Sequence, residues 1–182
     1  MKKIAVLLAI GFEEIEALTV VDLARRTDAL EADIISTTDN IIVKGAHDIA
    51  VTCDFKLNEL EIEDYDAVII PGGMPGSINL RDNDEVIRFV SHMNSNKKIV
   101  ASICAGPIVL EKAGIIDNKR ITAYPGFENE LSGNYQEDDV VIDGNIITGK
   151  GPAFAMSFAL EMIRVLIGEQ KTNNIKSELL LK

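Results

Sequence analysis

The residues best suited to chemistry lie in Ser102-Ile103-Cys104-Ala105-Gly106, a cysteine with small residues two places before and two places after it. An apolar run precedes the segment, and a helix is predicted to begin directly after Cys104. That is the layout of a nucleophile elbow, where small neighbours permit the tight turn that lifts a reactive atom out of the top of a sheet. A helix N-terminus at this point favours thiolate over thiol, and the amide of Ala105 would face an oxyanion developing on a substrate. The same five residues also fit a buried structural cysteine, because free cysteine is among the most buried residue types. Spacing alone supports the two readings equally.

A nucleophile of this kind normally works with a base. The chain has two histidines, His47 and His92, and both precede Cys104. The order nucleophile then histidine, used by α/β-hydrolases and glutamine amidotransferases, cannot be met. His92 shares a helical face with Glu85 and Arg88 and reads as a solvated surface residue. His47 falls in a predicted hairpin and reads as exposed or at an interface. An acid is the better partner for Cys104. Glu13, Glu14 and Glu16 follow the first strand and so lie near the same sheet edge, with Glu13 and Glu16 on similar faces of a helix. Glu13 and Glu14 read as surface acids that complement the helix dipole. If Glu16 points inward against Cys104, two anions cannot cheaply share the site. One proton is then held between them, on Glu16, as a carboxyl of raised pKa donating to a thiolate.

A second turn, Gly72-Gly73-Met74-Pro75-Gly76, lacks the Lys-Ser/Thr of a P-loop and the G-x-G-x-x-G order of a dinucleotide fingerprint. It reads as a tight turn that exposes amide donors. Cys53 ends a hairpin strand and reads as structural.

The elements that must position these residues follow from hydrophobic patterning. Residues 3–9 form a short apolar run bounded by Gly11, as in a strand covered on both faces. A helix is predicted over residues 13–29, with acids in its first turn and Arg25 and Arg26 near its end. Residues 32–37 read as a second strand, and 41–43 with 49–53 as a hairpin around Lys44-Gly45-Ala46. Residues 67–70 read as a buried strand stopped by Pro71-Gly72-Gly73, 84–96 as an amphipathic helix, 99–102 as a strand and 105–113 as a helix. Shorter β segments follow near 121–123, 140–142 and 146–148. A last helix spans about 152–167, with Pro152 in its first turn and Gly168 at its end. Alternating strands and helices imply a doubly wound, mostly parallel sheet with helices on both faces. Ligands in such sheets sit at the carboxyl ends of the strands. That rule selects the turns after residue 9, at Pro71-Gly72-Gly73 and at Cys104.

Bulk properties narrow the classes further. A chain of 182 residues with 47% hydrophobic and 26% charged residues can bury one sizeable core, and no linker or repeat divides it, so one domain over 1–182 is predicted. No window approaches the ~20 unbroken apolar residues of a membrane helix. Eighteen basic against twenty-nine acidic residues give a net charge of -11, which repels nucleic acid and anionic lipid, and no basic patch overrides it. Two cysteines in a chain able to build its own core indicate free thiols in a reduced cytoplasmic setting.

The whole chain resembles the ThiJ/PfpI superfamily and, within it, the DJ-one branch. The matching stretches are Gly11-Phe12-Glu13-Glu14-Ile15-Glu16, Val68-Ile69-Ile70-Pro71-Gly72-Gly73, Ala101-Ser102-Ile103-Cys104-Ala105-Gly106-Pro107 and Thr148-Gly149-Lys150-Gly151-Pro152, in family order. The resemblance implies a flavodoxin-like sandwich, akin to class I glutamine amidotransferases. Carried over by position, Cys104 matches the reactive cysteine, Glu16 the acid that hydrogen-bonds it, and Gly73 with Ala105 the amides of an oxyanion pocket, with Gly72 and Tyr124 lining the site. It also implies a homodimer, no metal and no organic cofactor, and it puts Cys53 near the dimer interface. Two positions depart from relatives. Ala105 stands where PfpI-type proteases carry a histidine, which argues against proteolysis. Tyr124 stands where other members place a histidine, and a phenol is a poor base at neutral pH.

The function this implies is of the glyoxalase or deglycase type, acting on glyoxal, methylglyoxal or their early adducts with protein or nucleotide. The alternative is a non-catalytic oxidant sensor or redox-controlled chaperone in which Cys104 is oxidised to sulfinate. A glutamine-hydrolysing subunit ranks below both, because no histidine follows Cys104.

Overall fold

The computed structural model describes residues 1–181. Strand β1 (Lys2–Leu8) is wholly buried from Ile4 onward, as a strand covered on both faces must be. Helix α1 (Glu14–Ala24) returns the chain to β2 (Leu30–Ser36), which pairs in parallel with β1 along its length. The hairpin of β3 (Ile42–Lys44) and β4 (Ala50–Thr52) stands apart as its own antiparallel ribbon, and β5 (Phe55–Lys56) then adds to the edge of β2. Next come β6 (Ala67–Ile70), α2 (Gly76–Arg81), α3 (Asp84–Ser95), β7 (Ile99–Ile103) and α4 (Pro107–Lys112). A short parallel pair, β8 (Arg120–Ile121) and β9 (Asn134–Tyr135), precedes the antiparallel hairpin β10 (Val140–Asp143) and β11 (Ile146–Gly149). Helices α5 (Ala155–Ile167) and α6 (Glu169–Glu178) finish the chain.

The main sheet has seven strands in the order β10-β11-β7-β6-β1-β2-β5, parallel except for β10. Alternate residues of β1 feed two cores. Ile4, Val6 and Leu8 pack with α1 and α5, whereas Ala5 and Leu7 pack with α3 and α4 on the other face. The doubly wound sheet read from the sequence is therefore the one observed. The chain leaves β1 toward β2 and returns on the opposite side at β6, so the strand order reverses between them. In such sheets the crevice at this switch point, at the carboxyl ends, is the ligand site. Glu16 follows β1, Gly72 follows β6 and Cys104 follows β7, three adjacent strands.

Several boundaries differ from expectation for identifiable reasons. Helix α1 stops at Ala24 rather than 29: Arg25 caps it, its N–H still donating to Val21 O at 3.0 Å, and its side chain donates from Nε and Nη2 to the Ala32 carbonyl at 3.1 and 2.8 Å and pairs with Asp54 at 2.6 Å. Pro152–Phe154 forms a 3-10 turn before α5, and Gly168, at φ 86°, ends that helix as expected. Helix α6 was not anticipated: only Thr172 and Ile175 are buried along it, too few to make an apolar stripe. Among the described residues no helix is long and apolar enough to cross a membrane.

Candidate active site

Cys104 sits at the end of β7 with φ 64°, in the left-handed region that L-residues with side chains rarely occupy. Its backbone is pinned from both sides: its N–H donates to Gly149 O at 2.9 Å, and its carbonyl accepts from Tyr124 N–H at 2.9 Å. The small neighbours are needed as the elbow reading requires. A Cβ on Gly106 would stand 2.5 Å from Ser102 Oγ and 2.8 Å from Ile70 O. The helix does not begin directly after Cys104, however. Ala105 and Gly106 are turn residues, and α4 starts at Pro107, where the missing N–H of proline leaves no helical bond unmade.

Glu16 projects from the first turn of α1 and is fully buried, as the inward reading requires. Its Oε2 accepts the Gly72 N–H at 2.7 Å, while Oε1 is buried without a hydrogen-bond partner. The other polar group that bears on this carboxyl is the Cys104 thiol, whose effect is to lower it. Gly72 is the spacer between them: a Cβ there would lie 2.6 Å from Cys104 Cβ and 2.6 Å from Glu16 Oε2. The backbone N–H groups of Ala105 and Gly73 both act to lower the thiol. Gly73, at φ 91°, has no room for a side chain because a Cβ would collide with Glu13 N and Gly11 O. The structure thus gathers Cys104, Glu16, Gly72, Gly73 and Ala105 at one point.

Electrostatics at this point depart from expectation in one respect. Burial, with a smaller push from the charge of Glu13, raises the Glu16 carboxyl to about 7 against the opposing hydrogen bonds from Gly72 and Cys104. The thiol is not lowered. Burial, then the charge of Glu16 and the hydrogen bond to it, push Cys104 up to about 12, outweighing the amides of Ala105 and Gly73. The pair therefore releases its first proton near neutrality and holds the second tightly, as two acids in one buried site must. Cys53, just past β4, is also buried, and burial followed by the nearby Asp54 raises its thiol to about 11, consistent with a structural role.

Tyr124 is joined to the elbow through its backbone. Its side chain is about half exposed and lies against Gly151, lining a largely apolar cavity of about 230 Å³ with Pro125, Pro152 and Phe154. His92 stays on the exposed side of α3, bonded to Asn96.

Glu14 is not the surface acid that its position suggests. It is buried, and its two oxygens accept from His47 N–H at 2.7 Å and bond His47 Nδ1 at 2.8 Å. Burial works to raise this carboxyl, but the His47 side chain and backbone, with the N–H groups of Glu14 and Ile49, hold it below its ordinary range. The His47 ring is exposed as expected, yet it is tied down. Glu13, Glu14 and His47 bring one ligand-capable atom each within 4.8 Å of one another, but both oxygens of Glu14 are already engaged by His47. No local sequence signal pairs residues 33 apart, so this contact was missed.

An α/β sandwich that raises a cysteine on a left-handed turn falls in the class of nucleophile-elbow proteins, and the order of motifs along the chain narrows that class. The sequence model of the DJ-1/PfpI family matches residues 2–165, and the chain belongs to that family. Protein dj-1beta of Drosophila melanogaster is 33% identical over 183 residues, covering 99% of this chain and 97% of that protein. The Parkinson disease protein 7 homolog of Danio rerio is 31% identical, covering 100% and 98%. Among solved structures, oxidized DJ-1 of Toxoplasma gondii superimposes with a TM-score of 0.94 at 33% identity, covering 100% of this chain and 99% of that one. The fold is accordingly the flavodoxin-like α/β fold of that family.

Proposed function

We propose that the protein is a cofactor-independent glyoxalase or deglycase acting on glyoxal, methylglyoxal or their early adducts with protein or nucleotide, through Cys104 assisted by Glu16. The observation that carries this reading is the fully buried Glu16 carboxyl, held by Gly72 N–H across a side-chain-free spacer from Cys104 on its left-handed turn; burial raises that carboxyl toward neutrality. The charge of Glu16 opposes thiolate only while Glu16 is ionised. With the shared proton on Glu16 that charge is gone, only burial is left for the Ala105 and Gly73 amides to offset, and this thiolate–acid form is the reactive one.

In that form the sulfur adds to the aldehyde carbon of methylglyoxal, the C=O electron pair moves to oxygen, and the alkoxide rests on the Gly73 and Ala105 amides until it takes the proton of Glu16. Glu16, now a carboxylate, removes the proton from the former aldehyde carbon and returns it to the neighbouring carbon, while the hydroxyl proton passes from the first oxygen to the former ketone oxygen through the enediol, giving a thioester of lactate. Water cleaves the thioester, releasing lactate and restoring the thiol. The sum is methylglyoxal plus water to lactate, an internal redox exchange between two carbons that needs no outside oxidant. Lactate formation by wild type, Cys104→Ala and Glu16→Gln is the test; three rates equal to that of buffer would sink the reading.

A second reading, oxidant sensing or redox-controlled chaperoning, draws support from the oxidized form in which the Toxoplasma gondii relative was solved. A neutral carboxyl beside the sulfur can hydrogen-bond the oxygens of a sulfinate. Intact mass after mild peroxide checks it: two added oxygens confined to Cys104 support sensing, and oxidation spread over the methionines opposes it. A reduced cytoplasmic setting fits either reading. A homodimer completes the proposal, because Ile15, Ile42 and Ile49, on α1 and the adjoining hairpin, present exposed apolar side chains that a second copy would cover.

A further inference from the structure

The segment Gly11–Glu14 lies between two turns. On one side it carries the oxyanion loop: Glu13 N–H donates to Gly72 O at 2.9 Å, and Gly76 N–H donates to Gly11 O at 3.1 Å. On the other side it receives the turn that joins β3 to β4. Gly11 N–H donates to Lys44 O at 2.8 Å, and Ala46 N–H donates to Phe12 O at 2.8 Å. Gly45 is pressed so closely on the Glu14 carboxylate that a Cβ there would collide with it. His47 closes this contact through its N–H and Nδ1, both on Glu14, and its Nδ1 stands 3.7 Å from Glu13 Oε1.

We propose that His47 is a positioning residue for the Cys104 site: gripped by Glu14, it fastens the β3–β4 turn to the start of α1, and as an imidazolium it offsets the charge of Glu13 that bears on Glu16. The proposal rests on the reading of Glu16 and Cys104 as the working pair. The charges facing His47 are Glu13 and Glu14 from the start of α1, and Lys44 and Asp48 from its own turn, which pair with each other at 2.7 Å. Those facing Glu16 are Glu13 and Cys104. The hydrogen bond to Glu14, then the charges of Glu13 and Glu14, raise the imidazole above its ordinary value, so His47 carries its charge further toward neutrality than a free histidine would. Its charge is present below that raised value and is lost as pH rises through it. Without it Glu13 acts on Glu16 unopposed, Glu16 holds its proton to higher pH, and the pair ionises later.

The test is the rate of Cys104 alkylation by iodoacetamide against pH, in a Cys53→Ala background, for wild type, His47→Gln, His47→Arg, Glu13→Gln and the double variant Glu13→Gln/His47→Gln. His47→Gln is expected to move the midpoint up by about half a pH unit, about threefold in rate below it. His47→Arg, which keeps a cation and donors, is expected to stay near wild type. Glu13→Gln is expected to move the midpoint down and to erase the effect of His47→Gln. The proposal is overturned if folded His47→Gln titrates like wild type, or if His47→Arg shifts as far as His47→Gln. Should the His47 variants fail to fold, an unmoved midpoint in Glu13→Gln overturns it. A wild-type Cys104 that shows no titration near neutrality is a different result, and it removes the proposed active pair itself.

Discussion

The Glu16 carboxyl and the Cys104 thiol meet across Gly72, a residue with no side chain, at a point where a Cβ would stand 2.6 Å from an atom of each. Three strand ends converge there, so the separation of acid and sulfur is set by backbone rather than by flexible side chains. This has a direct consequence for mutation. Gly72→Ala must push Cys104 and Glu16 apart or displace the Ala105 amide 3.1 Å away. Overpacking of this sort destabilises by about 1–3 kcal/mol. Thermal unfolding should show that loss, and Cys104 alkylation should lose its titration near neutrality. An alanine variant as stable and as reactive as wild type would show that the spacer is not needed.

Glu16 also links stability to pH. Its carboxyl stands at about 7 in the folded chain against an ordinary 4.5, so the folded state binds this proton more tightly than the unfolded state does. The stabilisation is fully present below pH 4.5 and is lost as pH rises through about 7. The loss is on the order of 3 kcal/mol. Glu16→Gln keeps an acceptor for Gly72 N–H and has no proton to release. Urea unfolding of the two proteins between pH 5 and pH 8 should therefore show wild type losing stability relative to the glutamine variant as pH rises. Parallel curves would mean that Glu16 is not buried in solution as it is here.

The thiol in turn holds Glu16 down. It is one of two neighbours that lower the carboxyl against burial, the other being Gly72 N–H. Cys104→Ala removes that neighbour and leaves burial unchanged, so Glu16 should titrate above the wild-type midpoint. Carbon-13 NMR of labelled glutamate carboxyls reads this directly. A Glu16 that instead falls toward the ordinary carboxylate range would show that the sulfur, not burial, is what raises it.

Much of this site was legible from local sequence, and the parts that were not share a physical cause. Unbroken apolar runs identified β1, β6 and β7, and the glycines after them identified the turns, because short strands buried on both faces leave that signature. The tight turn at Cys104 was readable from Ser102 and Gly106, which pack against each other there, though not its left-handed backbone. Glu14 and Glu16, by contrast, look alike in sequence, two acids in one helical turn. What separates them is long-range: one is gripped by a hairpin 33 residues on, the other faces a strand end still further along. The direction of the thiol shift was likewise hidden, since helix amides are visible in a sequence but the depth of burial that outweighs them is not. Helix α2 went unread because Gly76 opens a span of six residues, too short for periodicity to show.

Tyr124 stands where the family resemblance implies a histidine in other members, and its place beside the elbow makes the substitution testable. Its N–H holds the Cys104 carbonyl at 2.9 Å, a bond that any residue with a backbone N–H keeps, so Tyr124→His alters the side chain without loosening the turn. The side chain is about half exposed and its ring lies against Gly151, where the smaller imidazole fits without collision. Imidazole exchanges protons near neutrality, as phenol does not, and a placed general base is typically worth about 100-fold or more in rate. Because a ring at this half-exposed position is held less firmly than a buried base, a smaller gain is expected, about tenfold in lactate formation from methylglyoxal. The rate of the variant should climb through about pH 6.5, following deprotonation of the new imidazole. Equal rates and identical pH profiles for the two proteins would show that the water-attack step draws its base from elsewhere, leaving Glu16 as the proton carrier throughout.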